Sequence, residues 1–105
     1  MKKIFKNQIA LALAGILAGT SAVAGTLVIN GDTSDPAPKA AFQAVIDGFE
    51  AENPDVDVVY NLFDHEGYKA AIRNFLSADA PDIAFWYAGN RMAPFVEAGL
   101  FAPID

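Results

Sequence analysis

Five side chains carry the chemistry that this sequence can be read for: Asn30, Asp32, Trp86, Asn90 and Arg91. An amide offers both a donor and an acceptor, a carboxylate two acceptors, and a guanidinium a planar fork of donors. An indole adds a broad apolar face. Planar polar forks beside a large ring suit a ligand with vicinal hydroxyls around its edge and a C–H face, which describes a sugar. Taken singly, each residue has an ordinary structural use. Asn30 and Asp32 serve as turn formers, Trp86 as core, Asn90 as a helix cap and Arg91 as a surface ion-pair partner. Their convergence on one rim is what would turn five ordinary residues into a site.

The elements that must position them follow from periodicity. Thr26 to Ile29 is an apolar run of strand length that stops at the turn signal Asn30-Gly31-Asp32. Thr33, Ser34 and Asp35 offer helix caps, and Pro36 and Pro38 suit a first helical turn. Phe42, Val45, Ile46 and Phe49 then fall on one face of a helix that Asn53-Pro54 ends. Val56 to Tyr60 is a second strand, and Tyr68, Ala71, Ile72, Phe75 and Leu76 make a second helical stripe. A third buried strand runs from Ile83 to Phe85 after Pro81, with Gly89 freeing the turn and Asn90 as the N-cap of the next helix. Met92, Phe95 and Val96 form that third helix, closed by Gly99 as its C′ residue and Leu100 as the apolar follower.

Strand, helix, strand, helix, strand, helix predicts an α/β fold with right-handed crossovers and a parallel sheet. In such a sheet the carboxyl ends of the strands share one rim, where ligands bind. That rim would gather Asn30-Gly31-Asp32, Leu62-Phe63-Asp64 and the stretch from Trp86 to Arg91. No internal repeat or low-complexity run interrupts the order.

Charge and composition narrow the function. Lys2, Lys3 and Lys6, an apolar run from Ile9 to Leu17 and the small-x-small triplet Ala22-Val23-Ala24 read as a cleaved signal peptide over residues 1–24. The leader holds three of the seven basic residues and none of the thirteen acidic ones, so residues 25–105 are strongly acidic. Such a surface argues against nucleic acid and anionic membrane as partners. The chain has no cysteine and one histidine, His65, which reads as a lone loop residue. A metal cluster or thiol site is therefore not expected, and no cofactor is called for. Asp64/Glu66 and Asp79/Asp82 are adjacent loop acids, the ordinary solvated or capping kind rather than a glycosidase pair set across a scissile bond. Asn30-Gly31-Asp32 lacks the further glycines of a phosphate loop.

The leader, Leu27-Val28-Ile29-Asn30-Gly31-Asp32, Pro81-Asp82-Ile83-Ala84-Phe85-Trp86, Asn90-Arg91 and Glu97-Ala98-Gly99-Leu100-Phe101-Ala102-Pro103-Ile104 together resemble the extracellular sugar-binding proteins of ABC importers, the maltose-binding-protein-like family. The resemblance implies a periplasmic-binding-protein-like fold of two α/β lobes joined by a hinge, with sugar in the cleft. Residues 25–105 would be part of the N-terminal lobe. It implies a periplasmic carbohydrate-binding component that delivers its ligand to the membrane permease subunits, and no enzymatic activity. It assigns sugar contacts to the positions of Asn30, Asp32, Thr33, Asn90 and Arg91; Trp86, at the end of an apolar strand beside Asn90 and Arg91, is expected to pack its ring on the sugar. Thr33 stands where the maltose-binding relatives carry Lys, and Asn90 where they carry Asp, with a loop one residue longer. These departures bear on maltose, not on carbohydrate as the ligand class. An exported α/β enzyme acting on carbohydrate and a small self-contained interaction module are the competing readings.

Overall fold

A computed structural model describes residues 25–105; the expected signal peptide lies outside the described residues. The elements alternate as β1 (Gly25–Gly31), α1 (Pro36–Glu52), β2 (Val56–Leu62), α2 (His65–Ala78), β3 (Ile83–Ala84), a 3-10 turn (Gly89–Arg91) and α3 (Ala93–Glu97). The three strands form one parallel sheet in the order β2-β1-β3. This is the expected α/β architecture.

The sheet has helices on both faces. Phe42 of α1 packs on Tyr60 and Phe85 with ring centroids 5.0 and 4.9 Å away, so α1 covers one face. On the other, Tyr68, Ile72 and Leu76 of α2 join Phe95 of α3 in the main core, flanked by Phe63, Ala84, Trp86 and Leu100. The 3.6-residue stripe of α2 thus buries the side that its spacing predicts. The stripe of α1 does so only in part: Ile46 is buried, but Val45 is 63% exposed. β1 leads into α1 on one face and β3 leads on to α3 on the other. The crevice between the carboxyl ends of β1 and β3 is therefore the switch point of the sheet.

All three strands differ in extent from the sequence reading, β2 by running on from Tyr60 to Leu62. β1 runs on through Asn30 and Gly31, which pair with Asn61 and Leu62, so the turn begins only at Asp32. β3 is shorter than expected, and Ile83 is half-exposed rather than buried. The ladder is extended at its start by Asp82. Its amide donates to the Val28 carbonyl at 2.9 Å, and its carboxylate accepts from the Val28 amide at 2.8 Å. A side chain thus stands in for a backbone acceptor at the strand start.

The helix ends follow their capping chemistry. Asp64 accepts from the Gly67 amide at 2.7 Å and caps α2. Gly99, at φ +74°, takes the left-handed conformation after α3. Its amide donates to Val96 and that of Leu100 to Phe95, the paired bonds of a Schellman motif. Asn90 is not the cap that its residue type suggested. It lies inside the 3-10 turn, and Met92 occupies the N-cap of α3. Gly89, with φ +84°, starts that turn one residue earlier, closed by the Met92 amide on the Gly89 carbonyl at 3.0 Å.

Candidate functional site

The rim is built around one clamp. Tyr68 is fully buried, and its hydroxyl donates to the Phe85 carbonyl while lying 3.1 Å from the Asn30 carbonyl. Those carbonyls belong to the ends of β3 and β1, so one phenol fixes the two strand exits that flank the crevice. Burial, and secondarily the charge of Asp32, push the Tyr68 phenol far above its ordinary range. It is a neutral donor.

Beyond the clamp, Asp32, Thr33, Ser34, Asp35 and Pro38 line a cleft of about 340 Å³ together with His65 and Tyr87. The Asp32 carboxylate accepts from His65 Nδ1 at 2.9 Å. Tyr87 Oη lies 3.3 Å from the same nitrogen, and the two rings meet edge to face at 5.7 Å. The guanidinium of Arg91 lies over the Tyr87 ring, 5.0 Å from its centroid. Under this floor the Tyr60 hydroxyl is buried without a hydrogen-bond partner. Burial and the nearby Asp32 charge raise its pKa; Thr33 offsets part of the rise, although no well-formed hydrogen bond joins them.

The six residues expected at the site are dispersed among three settings. Asp32 and Thr33 line the cleft, and Arg91 reaches it through Tyr87. Asn90 is exposed in the 3-10 turn beside Arg91. Trp86 is half-buried, packed against Tyr68 and Phe95 at 5.9 and 6.1 Å, and its Nε1 donates to the Arg91 carbonyl at 2.9 Å. It positions the turn that carries Arg91. Asn30 is buried, with its side-chain oxygen accepting from Asn61 Nδ2 at 2.9 Å. It faces a different and larger hollow of about 740 Å³ along α2, near Val28, Pro81 and Asp82. That hollow runs under α2 from Asn61 and Phe63 at the end of β2 to Pro81 and Asp82 ahead of β3.

His65 and Tyr87 are the residues that reasoning from residue types alone passed over. His65 is the first residue of α2, one position beyond the Leu62-Phe63-Asp64 strand exit already assigned to the rim. Tyr87 directly follows Trp86 at the third exit. The rim assignment itself was the signal for both.

The cleft offers two carboxylates, a phenol, an imidazole and hydroxyls, with a guanidinium alongside. That set can bind and orient a polar ligand by hydrogen bonds. Among the described residues no group of His, Cys, Asp and Glu side chains could hold a metal ion, and no helix is long and apolar enough to cross a membrane.

Comparison with known proteins bears on the fold and the family. None of the curated proteins matches the chain. Among solved structures, the bacterial solute receptor AcbH, described as having an exclusive preference for β-D-galactopyranose, superposes with a TM-score of 0.68 at 34% identity. The match covers 76% of this chain and 20% of that one, so the chain spans about a fifth of the receptor's length. Residues 32–105 match the family described as bacterial extracellular solute-binding protein. The chain belongs to that family, and its parallel sheet is a portion of a periplasmic-binding-protein-like lobe.

Proposed function

We propose that this chain supplies one wall of a periplasmic carbohydrate-binding site, as part of a receptor that hands a sugar to the membrane subunits of an ABC importer. The observation that carries the reading is the polar cleft at the switch point, where Asp32, Thr33, His65 and Tyr87 converge with Arg91 behind them. The sugar preference in the description of AcbH supports a hexopyranose as the ligand class. Residues 1–24 would direct export and be removed.

In this reading Asp32 and Thr33 touch the sugar hydroxyls. Arg91 and Asn90 border the ligand from the 3-10 turn, and the exposed part of the Trp86 ring offers it an apolar surface. Asn30 acts from beneath by fixing the end of β1. The second wall would come from a second lobe closing over the ligand, as hinge closure does in binding proteins of this architecture.

The role is binding without turnover. The one hydroxyl beside the His65 ring in the cleft, that of Tyr87, faces a nitrogen that donates to Asp32 and cannot take its proton, so sugar should leave unchanged. Calorimetric titration of the intact protein against a panel of mono- and oligosaccharides, followed by chromatography of the recovered sugar, tests this. A saturable, one-to-one signal with intact sugar is expected. Hydrolysed or transferred sugar would favour the enzyme reading, and silence across the panel would remove carbohydrate as the ligand.

A further inference from the structure

The hydrogen-bond pattern around His65 fixes more than a contact. A carboxylate oxygen can only accept, so the 2.9 Å approach of Asp32 Oδ2 to His65 Nδ1 requires that Nδ1 carry a proton. An Nδ1–H cannot accept from Tyr87. The Tyr87 hydroxyl, 3.3 Å away, is therefore at most a second acceptor for that N–H, and its own proton remains unspent. The Asp32 side chain is only 14% exposed, with one oxygen held by the imidazole. Oδ1 is the acceptor left for a ligand.

We propose that His65 is a positioning residue of the cleft, and that by its tautomer it sets the pattern the site reads. Asp32 Oδ1 accepts from one ligand hydroxyl while Tyr87 donates to the oxygen of a neighbouring one. Both groups sit within 3.3 Å of a single nitrogen, so the hydroxyls they meet belong to one small region of the ligand. The chemical class that fits is a vicinal diol on a sugar ring. This rests on the carbohydrate reading of the cleft. The opposite tautomer would leave Nδ1 a lone-pair acceptor facing a carboxylate, and would draw the Tyr87 proton onto itself.

The side-chain amides of Asn and Gln separate the two ring nitrogens. The Asn amide nitrogen falls near Nδ1 and can still donate to Asp32; the Gln nitrogen falls near Nε2 and cannot. In the intact protein, the ring 15N signals of His65, assigned by their loss in His65→Asn, should show a protonated Nδ1 and an unprotonated Nε2 in the neutral ring. A calorimetric panel led by D-galactose and D-glucose should show His65→Gln weakened on the order of tenfold or more, the scale of a lost polar partner. His65→Asn, which keeps a donor to Asp32, should recover most of the affinity lost in His65→Gln. Tyr87→Phe, at a half-exposed position where folding is not at stake, should weaken binding like His65→Gln. A protonated Nε2 in the neutral ring overturns the proposal whatever the sugar result. Wild-type binding of sugar with unchanged affinity in His65→Gln or Tyr87→Phe overturns it alone. A wild type with the expected tautomer that binds no sugar in the panel overturns the carbohydrate reading, and this proposal with it.

Discussion

The Tyr68 hydroxyl donates to the carbonyl of Phe85, and through this bond helix α2 fixes the end of strand β3. Seventeen positions separate the two residues, and the bond joins the first turn of α2 to the end of β3. The Phe85 amide on the Asn30 carbonyl at 3.1 Å ties the exits of β1 and β3 to each other, and the phenol adds the hold of α2 on both.

Tyr68→Phe keeps the ring and removes the donor, leaving the Phe85 and Asn30 carbonyls without it. The expected loss is about 1–3 kcal/mol, read from urea unfolding midpoints. The pH dependence has a definite sign. The folded-state pKa is raised above the ordinary 10.0, so the native state holds the proton after the unfolded chain has released it. The associated stability is complete below pH 10.0 and is lost as pH rises from there through the folded pKa. Tyr68→Phe should flatten that alkaline decline. An equal decline in the variant would mean that another group carries it.

Gly31 is where the sheet tolerates no side chain. A Cβ there would stand 2.8 Å from Phe85 Cδ2 and 2.9 Å from Tyr60 Oη. Gly31→Ala should therefore cost about 1–3 kcal/mol, as overpacking does, and push the Phe85 ring off Phe42. Thermal unfolding measures the first effect and ring chemical shifts the second. A neutral substitution would contradict the close packing of β1 on this aromatic group.

How much of this could be read from the sequence differs residue by residue. The stripe from Tyr68 to Leu76 and the Gly99-Leu100 stop are local patterns, and both are present in the fold. The rim was legible because strand exits in a parallel sheet share a side. Which residues at those exits face the cleft was not. Asn30 lies on the α2 side of the sheet, joined to Asn61, because β1 continues to Gly31 and the turn comes later than Asn30-Gly31 suggests. The link from His65 to Asp32 spans 33 positions and leaves no trace in spacing. Asn90 has the right type for a cap, but the turn that begins at Gly89 places it one residue inside.

Trp86 separates a supporting role from a contact. Trp86→Ala opens space against Tyr68 and Phe95, so weaker sugar binding in that variant would not identify a ring–sugar contact. Trp86→Phe keeps most of the packing and removes the donor to the Arg91 carbonyl. We expect a loss of about 0.5–1.5 kcal/mol in stability and faster amide exchange at Met92, whose bond closes the 3-10 turn. Unchanged exchange at Met92 would mean that the turn holds itself without the indole.

In the proposed function, ligand binds at the carboxyl rim between β1 and β3. Backbone amide shifts of the isotopically labelled intact protein, followed during titration with the sugar that calorimetry selects, test this most directly. Within residues 25–105 the perturbed amides should cluster at Asp32, Thr33, His65, Tyr87, Asn90 and Arg91, and Asp32→Ala should abolish the changes while the protein stays folded. Perturbations centred instead on Asn74, Asp79 and Asp82, around the larger hollow beside α2, would contradict it.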